Sequence, residues 1–158
     1  MNAVEHRETR FQRILCCTDF SDSAQAAFDF ALDAAVRRPG AVLHLLHVSH
    51  EPDAKFWRSY LDEVDGLDEQ AKQAMDEKIA NDYLSHVPPG LAVKVEIRIG
   101  PDASTILDFA KEKAIDLIII GRHGSGGVHK AIFGNVAEKI VRKADCAVLV
   151  IPLSYAQR

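Results

Sequence analysis

A chain of 158 residues with 47% hydrophobic and 27% charged residues suits one domain of ordinary globular composition, which excludes a wholly disordered or collagen-like chain. A domain of this size buries roughly 68–70% of the surface its unfolded chain exposes, so a core forms without disulfide or metal staples. The net charge of −4 argues against a nucleic-acid binder, because affinity for a phosphate backbone comes mainly from clustered Lys and Arg releasing counterions.

The opening MNAVEHRETRFQR carries no apolar run of secretory type, and no later run approaches the ~18 residues needed to span a bilayer. A soluble, cytoplasmic protein with no membrane association is therefore expected. Residues 1–158 read as one domain, with 1–11 and 154–158 as flexible ends. Ile14–Thr18 is the first apolar run rich in strand formers, and helical spacing follows over Ser23–Arg37. Ala41–Val48 is the second strand. The polar segment from His50 to Gly66, with Pro52, Phe56, Trp57 and Tyr60, reads as a long connection or irregular helix, and Leu67–Leu84 as a helix. Ala92–Ile99 is the third strand. Its Val93, Val95, Ile97 and Ile99 alternate with Lys94, Glu96 and Arg98, as at a sheet edge. A helix over Ser104–Ala114, a strand over Asp116–Ile120, a helix over Val136–Arg142 and a last strand over Ala147–Ile151 complete the series.

Strands alternating with helices imply parallel pairing through right-handed crossovers, hence an open α/β sheet with helices on both faces. Ligands of such sheets bind beyond the carboxyl ends of the strands. Two loops there carry notable chemistry. One is Thr18-Asp19-Phe20-Ser21, where Ser21 caps the next helix and leaves Asp19 at the strand tip. The other runs from Gly121 to Asn135. Its glycines let backbone N–H groups approach a ligand, and Arg122, His123, His129 and Lys130 stand ready to offset phosphate charge. Asn135 with Glu138 has the spacing of a capping box, which sets the helix start directly after Gly134. The loop has no G-K-S or G-K-T ending, and no G-x-G-x-x-G follows the first strand, so neither a P-loop nor a dinucleotide fingerprint is present.

Gly-x2-Gly-x9-Gly at Gly121, Gly124 and Gly134 resembles the motif of the ATP-binding branch of the universal stress protein family. ILCCTDFSDSA, HLLHV, AIDLIIIGRHG and AEKIVRKADCAVLVI also look like that family in order and spacing. The resemblance implies a Rossmann-like fold, similar to the adenine nucleotide alpha hydrolases, with five parallel strands in the order 3-2-1-4-5. It implies an ATP or other adenine-nucleotide site formed by Thr18, Asp19, Val48, Gly121, Arg122, Gly124, Gly134, Asn135 and Val136, with or without Mg2+. Asp19 would approach the ribose or adenine and Val48 the adenine, while Gly121, Gly124, Gly134, Asn135 and Val136 would hold ribose and phosphates. The family motif closes on Ser or Thr where this chain has Asn135, whose longer side chain would crowd a terminal phosphate. Adenine-nucleotide binding is thus the expectation, without a firm grip on a γ-phosphate. The resemblance further implies a homodimer through the fifth strand, whose wholly apolar Ala147–Ile151 would otherwise leave a bare edge.

The function expected is a nucleotide-dependent switch protein of the stress response. A slow ATPase and a nucleotide-free interaction module are the alternatives. No catalytic residue is assigned. A metal site is not expected either, because His44, His47 and His50 sit three apart on a strand and His47 faces away from the other two. Cys16 and Cys17 likewise face opposite sides. With Cys146 they read as free thiols in a reducing cell.

Overall fold

In a computed structural model of the chain, residues 11–49, 69–122 and 132–155 are described. Their elements are β1 (Arg13–Thr18), α1 (Asp22–Val36), β2 (Val42–Ser49), α2 (Glu69–Asp82), β3 (Ala92–Ile99), α3 (Asp102–Glu112), β4 (Leu117–Gly121), α4 (Ile132–Lys143) and β5 (Ala147–Ile151). Short 3-10 turns follow α2 at Leu84–His86 and β5 at Leu153–Tyr155. The strands form one five-stranded parallel sheet in the order β3-β2-β1-β4-β5.

β1 lies at the centre of the sheet. Ile14, Leu15 and Cys16 have no exposure, and their alternation divides the core into two. On one face Ile14 and Cys16 join Phe28, Leu43, Leu45, Tyr83 and Ile119; on the other Leu15 and Cys17 join Leu46, Phe109, Ile118, Ile120 and Ile140. The first set brings α1 and the end of α2 onto its face, and the second brings α3 and α4 onto the opposite one. Each fully buried Leu, Ile or Phe contributes roughly 1.5–3 kcal/mol, so two such layers suffice to hold a sheet of short strands.

The helices follow from their stripes and caps. α1 buries Ala24, Ala27, Phe28, Ala31 and Ala35 along one side, and Ser21 Oγ accepts the Ala24 N–H at 3.2 Å, as the capping argument anticipates. At the amino end of the sheet Asp116 Oδ2 accepts the N–H groups of Gln12 and Arg13 at 3.0 and 2.9 Å, tying β1 to the approach of β4. β3 is an edge strand, with Arg98 bound to Glu96 and Glu112 at 3.1 Å each. Phe11 packs on the core and Tyr155 lies edge-on to Phe30 at 5.3 Å, so these residues of the expected loose ends are docked.

One boundary needs correction. α4 begins at Ile132, not after Asn135, so Asn135 and Glu138 lie inside the helix and form no capping box. Glycine weakens a helix by about 1 kcal/mol relative to alanine but does not forbid it, and burial of Val136, Ala137 and Ile140 offsets that cost. Glu138 instead pairs with Arg142 one turn on. The segment from His50 to Leu67, the histidines His123 and His129, and Gly124 and Lys130 lie outside the described residues.

Candidate functional site

The chain leaves β1 for α1 on one face and leaves β4 for α4 on the other, which makes the gap between these neighbouring strands the point where the winding reverses. Pairing of β1 with β4 runs from Ile14↔Leu117 to Cys16↔Ile119. Both strands continue two residues further, to Thr18 and Gly121, so their tips stand as two lips at the place where sheets of this kind have their crevice.

Thr18 is buried, and its side chain faces α1 and α2 rather than open space. Its Oγ1 accepts the Phe20 N–H at 2.8 Å and shares a 2.6 Å hydrogen bond with the Tyr83 hydroxyl. Burial pushes the Tyr83 phenol above its ordinary pKa, so the group stays protonated. Asp19 follows, half-buried, with Oδ1 accepting the Ser21 N–H at 3.0 Å in a local turn. Val48 lies one position beyond the Thr18↔His47 pair and packs against the α3/α4 side of the core.

At the other lip a Cβ on Gly121 would fall 2.5 Å from Ser23 Oγ and 3.1 Å from the Ser23 backbone carbonyl. Gly121 therefore lets the first turn of α1 close onto the end of β4, joining the lips by backbone contact. Arg122 is exposed on its side chain, and its N–H extends the β4–β5 ladder by donating to the Ile151 carbonyl at 2.8 Å. Val136 is a core residue, while exposed Asn135 lines a cleft of about 300 Å³ with Lys139, Lys143 and the start of α3 at Pro101–Ser104. With α4 starting at Ile132, helix geometry leaves the N–H groups of residues 132–134 without intrahelical partners and commits that of Asn135 to the helix. The anion-favouring end is thus one turn earlier than the sequence suggests, and Gly134 belongs to it.

Of the residues anticipated from sequence, Thr18, Asp19, Val48 and Gly121 gather at the strand tips, and Asn135 and Val136 sit on the α4 side. Tyr83, Ser23, Lys139 and Lys143 were not anticipated. Tyr83 reads in the sequence as one more apolar position of the helix expected over Leu67–Leu84, and only the 65-residue separation of its hydrogen bond to Thr18 reveals a second duty. Lys139 does carry a signal, since it follows Asn135 by one helical turn. Cys16 and Cys17 are buried on opposite faces, and burial raises both thiol pKa values, which makes them inert core groups. His44 packs on Phe109 and His47 on Phe20, so these two imidazoles point to different faces. Among the described residues no cluster of His, Cys, Asp or Glu is arranged to hold a metal.

Strand order and winding define a doubly wound α/β protein. The chain belongs to the universal stress protein family, whose model matches residues 10–152. It is 27% identical to a universal stress protein of Methanocaldococcus jannaschii over 154 residues, covering 94% of this chain and 86% of that one. It is 27% identical to universal stress protein YxiE of Bacillus subtilis, covering 89% of this chain and 99% of that one. The solved structure of UspA from Lactobacillus plantarum superposes with a TM-score of 0.67 at 32% identity, covering 90% and 98% of the two chains. More distant structures share the fold: a universal stress protein with cAMP (18% identity, TM-score 0.60, 89% and 95% covered), one from Archaeoglobus fulgidus with dAMP (20%, 0.59, 90% and 98%) and one from Arabidopsis thaliana with AMP bound (21%, 0.53, 89% and 91%).

Proposed function

We propose that this chain binds an adenine nucleotide between the tips of β1 and β4 and acts as a dimeric, nucleotide-responsive switch in the stress response. The crevice at the winding reversal carries this reading, with Asp19 on one lip and the close-packed Gly121 on the other. The cAMP, dAMP and AMP seen in three proteins of the same fold support the choice of adenine. Asp19 accepts hydrogen bonds from the ribose or adenine, Val48 offers an apolar wall, Gly121 and Arg122 flank the sugar, and the free amides at the start of α4, that of Gly134 among them, receive the first phosphate. ATP enters the same scheme, and Mg2+ accompanying it would be held by phosphate oxygens and water, the usual way that ion is bound with few protein ligands. Titration calorimetry of nucleotide-stripped protein with AMP, ADP and ATP tests the reading. Heat of binding is expected with at least one of them, and none at millimolar concentration removes it.

The switch works as a pair. β5 ends the sheet, its Leu149 is 39% exposed, and Val141 on α4 is 56% exposed. A twofold copy of β5 covers this apolar edge, and light scattering at micromolar concentration should give twice the chain mass. Hydrolysis is the alternative outcome of nucleotide binding; turnover that survives Asp19→Asn unchanged would not belong to this site. The free thiols Cys16, Cys17 and Cys146 suit a reducing, cytoplasmic setting.

A further inference from the structure

The tip of β1 is held in place from outside the crevice. Thr18 is only 3% exposed, and side chains from other elements engage both its hydroxyl and its carbonyl. The hydroxyl meets Tyr83 Oη at 2.6 Å while accepting the Phe20 N–H, and the carbonyl accepts from His47 Nδ1 at 2.8 Å. Since a carbonyl oxygen only accepts, His47 carries its proton on Nδ1. Phe20, next but one in the chain, stands at φ 65°, a left-handed conformation that costs a non-glycine residue about 1–2 kcal/mol. Its ring is 4.7 Å from the His47 ring and 6.3 Å from that of Tyr83, which lies 5.0 Å from Phe28. Contacts from β2, α1 and the end of α2 thus hold a strained turn that Asp19 alone would not keep. Strain fixed this heavily points to a side chain whose placement matters.

We infer that Tyr83 and His47 are positioning residues for Asp19. They fix Thr18 before it and Phe20 after it, so the carboxylate is presented to the hydroxyl or amino donors of the nucleotide already ordered, and binding does not bear that cost. Tyr83 has no exposure, so it is placed to act on a ligand only through its neighbours. It acts through the loop, and it links the end of the β2–β3 crossover to the site. The inference rests on the nucleotide reading above.

A double-mutant cycle tests it. Tyr83→Phe keeps the ring and its edge contacts while removing the hydroxyl, and should weaken AMP binding about threefold to tenfold by calorimetry, as expected for one lost buried hydrogen bond. On an Asp19→Ala background the same change should alter affinity less than twofold, since the group it positions is gone. Equal losses on both backgrounds overturn the inference and leave nucleotide binding standing, whereas no binding by the unmutated protein removes both. A ligand-free readout stands beside it: amide exchange at Phe20 and Ser21 should quicken about tenfold in Tyr83→Phe and in His47→Gln, with the amides of β4 unchanged. Unaltered exchange at those two amides in both variants also overturns it.

Discussion

The two lips of the crevice are built by opposite means. The β1 lip is made of side chains: Thr18, Tyr83, His47, Phe20 and Ser21 interlock around Asp19 through hydrogen bonds of 2.6–3.0 Å and ring contacts. The β4 lip is made by the absence of one, since Gly121 admits the Ser23 backbone into the space a Cβ would fill. A side-chain lip can be retuned by substitution, because its pieces are separable. A backbone lip has no spare part, and changing it shifts α1 against β4.

The largest effect should therefore come from Gly121. Gly121→Val places atoms on the Ser23 backbone 3.1 Å away and should lower stability by about 1–3 kcal/mol through overpacking, read as a drop in denaturant midpoint. Nucleotide affinity should fall with it. Next comes Asp19→Ala, which should reduce AMP affinity at least tenfold by calorimetry while moving Tm little, because the turn it leaves still keeps the Thr18 and Ser21 bonds. If Asp19→Ala destabilised the fold as much as Gly121→Val, the contrast between the lips would be wrong. Ser21→Ala sits between the two kinds, since it removes the α1 cap; a loss of about 1 kcal/mol in stability is expected, with affinity changed only through the position of the turn.

The backbone frame was legible in the sequence because four of the strands are near-continuous apolar runs, and the one strand that alternates, Ala92–Ile99, marked its own edge position. Ser21 as a cap and the opposite faces of Cys16 and Cys17 were equally readable, for they depend on neighbours one to three residues away. What stayed hidden depends on distant partners. Nothing local distinguishes Tyr83 from any apolar helix position, and Gly121 reads as a ligand-facing glycine when its demonstrable task is to admit Ser23. The start of α4 was misplaced because glycine and asparagine both signal a helix end, while packing of Val136, Ala137 and Ile140 carries the helix through them.

That misplacement bears on the smallest predicted effect, at Asn135. As the fourth residue of α4 its N–H is committed to the helix, so it serves a ligand only through its side chain, which is exposed on the cleft shared with Lys139 and Lys143. A nucleotide whose first phosphate meets the free amides of residues 132–134 would send further phosphates along this side of α4, where the asparagine stands in their way and the lysines beyond it attract them. Asn135→Ser shortens the obstacle and keeps a hydrogen-bonding group. Affinity for AMP should stay within about twofold, whereas ATP should gain about threefold, the scale of one modest hydrogen bond. The ratio of the two dissociation constants, measured on one preparation, isolates this term from any change in stability. An unchanged ratio would mean that the terminal phosphates leave the site by another route, and that Lys139 and Lys143 serve solvation alone.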